Sequence, residues 1–383
     1  MKKLLFVIEN LEKGGAERVM TFLANELAKR GYETNFALLQ ENAKIVYKLN
    51  ESIQVFQIGK RELMIPERRI VIRIAKKLHW SWLSQLERRR VLYKQIDISR
   101  TIPLNEFLNS NKYDAIISFL VKPIIAVVRA TRRNAAKVII SERNYPLRDD
   151  FPLALLQMKS KAFNSKYDFC VAQTQEILHL LGKKAERRGV IIENPINSSL
   201  PLFNGKFRKH IVTNYCTFKQ QKNLPLLIKA FAKFAEEFDD YTLEIYGKGN
   251  KSNLEQLISE LKIEKKVSIL PFCVDIHEKI KDYAMYISTS DFEGISNSML
   301  EAMAVGIPTI STDCDGGGAR AIIRDHENGI LVSKGNLEEL VAAMKEIASD
   351  TRLANKLSQN GKKLREDYSS DKIIQKWVNL IEK

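Results

Sequence analysis

At 383 residues the chain has room for two domains, and 45% hydrophobic with 28% charged residues is an ordinary soluble, globular composition. Four cysteines (Cys170, Cys216, Cys273 and Cys314) stand far apart with no metal-ligand spacing, which argues against a disulfide scaffold or a zinc site and for reduced core thiols in a cytosolic protein without a signal peptide. The formal charge of +15 is lopsided: residues 1–200 hold 35 Lys+Arg and 20 Asp+Glu, whereas residues 201–383 hold 26 of each, so an anionic surface or partner is expected for the first half alone.

In chain order, Leu4 to Ile8 reads as a first buried strand, too short an apolar run for a secretory leader and followed at once by Glu9 and Glu12. A loop ending Gly14-Gly15 leads into a helix from Ala16 to Arg30, with Val19, Phe22, Leu23 and Leu27 on one face and Gly31 as its stop. Strands are expected near 34–39, 55–58, 115–119 and 138–141. Between them, apolar residues at 71, 74, 75, 78, 82 and 86 mark an amphipathic helix within the most basic stretch, Lys60 to Arg100. Its two tryptophans and basic flanks suit an anionic membrane surface; a helix packed on the sheet is the plainer reading. No apolar run approaches the roughly 18 residues of a membrane span. A turn-rich boundary follows at 194–208, after which the alternation restarts. Strands are expected at 211–215, 242–246, 267–270, 285–288, 309–311 and 330–332. Helices are expected at 224–238, 254–261, 337–348, 352–366 and 372–380. Strands alternating with helices imply parallel sheets covered on both faces, hence two similar α/β halves with a cleft between them.

The richest chemistry lies in Glu293-Gly294-Ile295-Ser296-Asn297-Ser298-Met299-Leu300-Glu301. Ser296, Asn297 and Ser298 are N-cap residue types, so a helix begins here and its amide groups and dipole suit a diphosphate. Glu293 falls in the loop and Glu301 on the helix, where one carboxylate faces a ligand at the helix start and the other meets hydroxyls farther along it. Three more glycine loops permit close backbone approach: Gly14-Gly15, Tyr246-Gly247-Lys248-Gly249 and Gly316-Gly317-Gly318. Gly14-Gly15 lacks the spacing of the dinucleotide fingerprint. Each loop alone is as well explained by a plain turn; at strand ends of a parallel sheet they gain weight together.

Taken together these residues resemble glycosyltransferase family 4, over nearly the whole chain. The resemblance is carried by Gly-Gly-Ala-Glu-Arg at 14–18, Ser-Glu-Arg-Asn at 141–144, Lys222-Asn223, Gly247-Lys248-Gly249, the Glu293 to Glu301 element, Gly306-Ile307-Pro308 and Asp313 to Arg320. It implies the GT-B fold, two Rossmann-like α/β domains facing across a cleft. An acceptor-side domain would span 1–195 and a nucleotide-sugar domain 205–369, with the helix near 370–383 packing back on the first. It implies sugar transfer with retention of configuration from a nucleotide donor, usually a UDP-sugar, to a lipid-linked or polysaccharide acceptor in cell-surface glycan synthesis. Glu293 and Lys222 would be catalytic, Glu293 near the reacting carbon and Lys222 against the departing diphosphate. Gly14, Gly15, Lys219, Gly247, Gly294, Ile295, Ser296, Asn297 and Glu301 would bind the donor, with Glu301 on the ribose hydroxyls. Glu142, Arg143 and Asn144 would contact acceptor or donor. No metal or other cofactor is implied. The implied setting is cytoplasmic, peripheral at the inner face of the cell membrane.

Two departures from the family pattern stand out. Where the family has an arginine before the lysine, this chain has Thr217, which cannot form a bidentate pair with phosphate; Lys219 is the nearby substitute. The family's histidine after the fifth strand is replaced by the Ser-Glu-Arg-Asn stretch, and the five histidines read as structural or exposed. A non-catalytic sugar-nucleotide-binding scaffold is the alternative that Thr217 favours. Nucleic-acid binding, suggested by a pI near 9.4, finds no aromatic-basic motif or zinc finger to support it.

Overall fold

The structure, a computed structural model, describes residues 1–12, 14–59, 99–131, 136–143, 145–146, 166–203, 205 and 207–383. The basic amphipathic stretch at 68–86 and Asn144 lie outside the described residues. The chain divides into two compact units. The first comprises Met1–Ile192 and Ile374–Lys383, and the second Glu193–Ile373.

The first unit is built on a seven-stranded sheet of order β3-β2-β1-β4-β5-β6-β7. Its strands are β1 (Lys3–Ile8), β2 (Glu33–Leu38), β3 (Gln54–Gln57), β4 (Ala115–Phe119), β5 (Lys137–Ser141), β6 (Phe169–Ala172) and β7 (Gly189–Ile191). Every pairing is parallel. A parallel sheet needs crossovers that cover both faces, which is why β1 and β4 are near-continuous apolar runs. The helix Gly15–Lys29 buries Val19, Leu23 and Leu27 as the periodicity predicts, together with Met20 and Ala24, while Phe22 is only partly buried. The strands β6 and β7 were not legible in the sequence. Phe-Cys-Val-Ala and Gly-Val-Ile are too short for any periodicity to register, and neighbour pairing alone makes them strands. The terminal helix Ser370–Glu382 returns the chain to the first unit, where Trp377 is buried and its ring stacks on Phe119 at 5.8 Å. Lys2 and Lys137 donate to the carbonyl of Ile381 near the end of that helix, at 3.1 and 2.7 Å.

The second unit carries a six-stranded sheet of order β10-β9-β8-β11-β12-β13, also wholly parallel. Its strands are β8 (Lys209–Thr217), β9 (Thr242–Lys248), β10 (Val267–Pro271), β11 (Tyr283–Ser288), β12 (Thr309–Asp313) and β13 (Ile330–Ser333). One apolar layer joins the helices Leu224–Phe234 and Leu337–Ser349 to the sheet through Leu227, Phe231, Leu243, Ile287 and Met344. A second, on the opposite face, gathers Tyr286, Met299, Leu300 and Val305 of the helix Asn297–Val305 with Ile276 and Ile280. Both units are therefore doubly wound and Rossmann-like. In each the strand order reverses once, between β1 and β4 and between β8 and β11, and the crevice at the carboxyl ends of such strands is where open α/β sheets take ligands.

Candidate active site

In the second unit the reversal point receives Lys222 and Glu293. Lys222 follows β8 in a single 3-10 turn, Gln220–Lys222, and Glu293 follows β11. The Lys222 ammonium donates to Glu293 Oε2, with the two side chains 16% and 21% exposed, shielded from bulk water but reachable. Ser290 Oγ donates to the same oxygen at 2.9 Å. The loops bearing the pair are stitched together by Asp291 N to Gln221 O at 2.9 Å, Asn223 Nδ2 to Asp291 Oδ1 at 2.8 Å and Gln221 Nε2 to Phe292 O at 3.1 Å. Thr289 Oγ1 also donates to the carbonyls of Lys222 and Asn223, at 3.0 and 3.1 Å. A salt bridge on two long side chains ordinarily costs rotamer entropy; here the backbone web limits that cost in advance.

Burial by itself would lower the pKa of the Lys222 ammonium, but the Glu293 carboxylate opposes it through charge and hydrogen bond and the net shift is upward. Lys222 is thus a fixed cation at neutral pH. Two thiols flank the pair, and burial pushes both Cys216 and Cys314 up to about 12, so they are inert neighbours and not nucleophiles.

The helix Asn297–Val305 begins four residues after Glu293. Ser296 occupies the N-cap position, as its residue type predicts, but its side chain makes no capping bond. Its hydroxyl instead lies 3.1 Å from Ser298 Oγ, which accepts from Tyr286 OH at 2.8 Å. No acidic residue stands in the first turn either. First-turn amides have no intrahelical partner, so a helix start without a side-chain cap suits an anion. Asn297 accepts from Asn194 Nδ2 at 2.5 Å. Gly306 closes the helix in the left-handed region (φ 97), where glycine carries no Cβ penalty.

Glu301, one turn in, is 7% exposed, and its Oε2 lies 3.0 Å from His277 Nε2. Ile295 is buried and Gly294 is packed under Gly318, where an added Cβ would stand 1.8 Å from the Gly294 carbonyl oxygen. Phe292 and Asp315 form a parallel bridge, and Glu293 N donates to Asp315 O at 2.8 Å. The Gly316-Gly317-Gly318 loop therefore supports the 293–295 segment from behind.

The remaining expected site residues are placed differently. Gly247 is not in a loop: β9 runs on to Lys248, and Gly247 pairs with Cys216, where a Cβ would come within 2.0 Å of the Cys216 carbonyl. Strand packing already demands glycine there. Lys219 is exposed beside Thr217, the last residue of β8. Gly14, Gly15, Glu142 and Arg143 belong to the first unit. Tyr47 brackets Gly14, accepting from its N–H at 3.2 Å and donating to its carbonyl at 3.0 Å. Glu142, the residue after β5, is buried, and Arg143 donates to Ile192 O at 3.0 Å with its guanidinium over the Phe119 ring.

Sequence reasoning missed His277, whose partner is 24 residues away, and Tyr47. It also missed the ion pair of buried Arg100 with Glu9, with Lys122 Nζ 3.9 Å from the same carboxylate, at the strand reversal of the first sheet. Arg100, the end of the most basic stretch, is buried. Nothing in the pattern around these residues marks them, because each contact is made only by the tertiary fold. Among the described residues no group of three or more His, Cys, Asp or Glu side chains is placed to hold a metal ion, and no helix is long and apolar enough to cross a membrane.

Two doubly wound, Rossmann-like units in one chain give the GT-B fold, and known proteins share it. Residues 204–364 match the family model described as glycosyl transferases group 1. The chain is 26% identical to an uncharacterized glycosyltransferase of Haemophilus influenzae, over 100% of both chains. It is 25% identical, over 100% of this chain and 98% of the relative, to GalNAc-alpha-(1->4)-GalNAc-alpha-(1->3)-diNAcBac-PP-undecaprenol alpha-1,4-N-acetyl-D-galactosaminyltransferase of Campylobacter jejuni. Its fold is shared with S. aureus TarM, solved as a variant in complex with Fondaparinux, alpha-GlcNAc-glycerol and UDP, at a TM-score of 0.75 and 14% identity over 100% of both chains.

Proposed function

We propose that this chain is a retaining glycosyltransferase of family 4 that moves a sugar from a nucleotide donor, UDP-linked by preference, to a lipid-linked or polymeric acceptor at the inner face of the cell membrane. The observation that carries the reading is the Lys222–Glu293 pair, held at the strand reversal of the second sheet beside the helix start at Asn297. In the reaction the bond between the anomeric carbon and the diphosphate oxygen breaks. A bond from that carbon to an acceptor hydroxyl oxygen forms on the same face, and the hydroxyl proton passes to the departing diphosphate. Charge grows on the diphosphate, and a fixed ammonium with the amides of a helix start stabilises it without reorganising. Lys222 fills the first role and the backbone at Gly294 to Asn297 the second, with Lys219 as a further cation where the family has arginine. Glu293 faces the sugar near the reacting carbon, and Glu301 takes the ribose hydroxyls. We assign the acceptor to the first unit, with Glu142 and Arg143 as its contacts. With the diphosphate's charge met in this way the reading calls for no metal ion, and turnover in EDTA checks that point.

Support for the acceptor class comes from the Campylobacter relative, whose name specifies an undecaprenol-linked substrate. Support for a uridine donor comes from the UDP bound to S. aureus TarM. The basic first half supports peripheral docking on anionic lipid: liposome binding falls with added salt and with neutralisation of Arg68, Arg69, Lys76 and Lys77, and binding indifferent to both removes the membrane assignment. A non-catalytic sugar-nucleotide binder is the competing reading, favoured by Thr217 at the end of β8. The deciding experiment supplies UDP-, GDP- and ADP-sugars with an undecaprenyl-diphosphate-linked acceptor and reads product configuration by NMR. An α-linked product from an α-linked donor is expected. An inverted product overturns the retaining mechanism, and binding without turnover of any donor establishes the scaffold.

A further inference from the structure

We infer that His277 is a positioning residue that gives the nucleotide site its selectivity for ribose over deoxyribose; the inference rests on the proposed reading of Glu301 as the hydroxyl-binding carboxylate. Glu301 is 7% exposed, and a carboxylate so buried keeps its charge only if donors surround it. His277 Nε2 stands 3.0 Å from Glu301 Oε2. With Glu301 ionised, the carboxylate has no hydrogen to give, and Nε2 is the donor of the pair.

The imidazole is itself held in place. Its short helix, Ile276–Ile280, is anchored by the buried Ile276 and Ile280. The ring meets Tyr215 edge-on, with centroids 5.6 Å apart and planes at 89°, and Tyr215 OH donates to Ser298 O at 2.7 Å. Thus an element following the edge strand β10 reaches the donor helix and fixes the carboxylate through one oxygen. Both side chains keep an opening to solvent, 18% for His277 and 9% for Glu301, as a site that admits a ligand requires. His277 hydrogen-bonds Glu301, whereas Lys222 and Glu293 bond one another, so its effect falls on donor binding and leaves the bond-breaking step alone.

A site built to hydrogen-bond a hydroxyl rejects the analogue lacking it, because its own buried group is then left unpaired. The test is calorimetric titration with UDP and 2′-deoxy-UDP (or the GDP or ADP pair, if one of those binds more tightly) on wild type, His277→Ala, His277→Gln and Glu301→Gln. Wild type is expected to prefer the ribonucleotide by about tenfold or more. His277→Ala is expected to bring the preference below about threefold and to raise donor KM, with kcat at saturating donor within about threefold of wild type. His277→Gln, whose amide nitrogen donates in the same direction, restores most of the preference. Wild-type preference in His277→Ala, or a glutamine variant as impaired as the alanine one, overturns the inference. If Glu301→Gln leaves the preference intact, the reading of Glu301 fails; if Glu301→Gln abolishes it while His277→Ala does not, only the role of His277 fails.

Discussion

Removing the Lys222 ammonium separates a catalytic pair from a structural one. In Lys222→Ala the Glu293 carboxylate loses its cation but keeps the Ser290 hydroxyl at 2.9 Å. Truncating one partner of a fully buried ion pair costs about 3–5 kcal/mol, whereas exposed pairs are worth about 0–1 kcal/mol. Side chains 16% and 21% exposed, with a second donor on the carboxylate, lie toward the lower figure, so we expect a loss of about 1–2 kcal/mol. For a domain of this size that is a fall in melting temperature of about 2–8 °C. The transition state is a different matter. Removing one fixed donor from a developing charge costs about 2.7–4 kcal/mol, a drop of about 10²–10³ in kcat. Steady-state turnover at saturating donor, with a melting curve on the same preparation, measures both. The expected pattern is a large loss of kcat in a protein still folded at the assay temperature. A variant that melts as expected yet keeps kcat within about threefold of wild type refutes the role of Lys222.

Two further outcomes follow from contacts remote from the reacting atoms. Gly318→Ala places a methyl group against the backbone carbonyl of Gly294, which has no flexible end to swing away; overpacking of this kind costs about 1–3 kcal/mol. It should lower the melting temperature and weaken nucleotide binding together, and unchanged binding contradicts the support given to the 293–295 segment. His326 has its pKa raised above the ordinary 6.5, first by its hydrogen bond to Asp325, against partial burial, and then by Glu346. A raised folded-state value means that the stabilisation is fully present below pH 6.5 and is lost as pH rises through the folded value. The stability gap between wild type and His326→Gln should therefore be larger at pH 6 than at pH 8 and shrink with salt, since the pair is half exposed; a gap that grows with pH contradicts the assignment.

Much of the second unit was legible because its signals are local. The helix from Asn297 follows from three N-cap residue types before an apolar run. The two glutamates are read from spacing alone. What joins them to the rest is not local: Lys222 meets Glu293 across 71 positions, and His277 meets Glu301 from another helix. A lone histidine in sequence carries no sign of its partner. Glycine was ambiguous for the same reason, since Gly247 reads as a loop by residue type but is required by the Cys216 carbonyl of the adjacent strand. Ser296 shows the converse: its type locates the cap position, but its hydroxyl goes to Ser298, and the cap bond is not made.

The central claim, that a sugar nucleotide binds where β8 and β11 diverge, is tested most directly by hydrogen–deuterium exchange with and without UDP. Bound ligand should slow exchange at 217–223 and 293–301. Protection confined to other segments, or none at saturating UDP, GDP and ADP alike, would contradict the account.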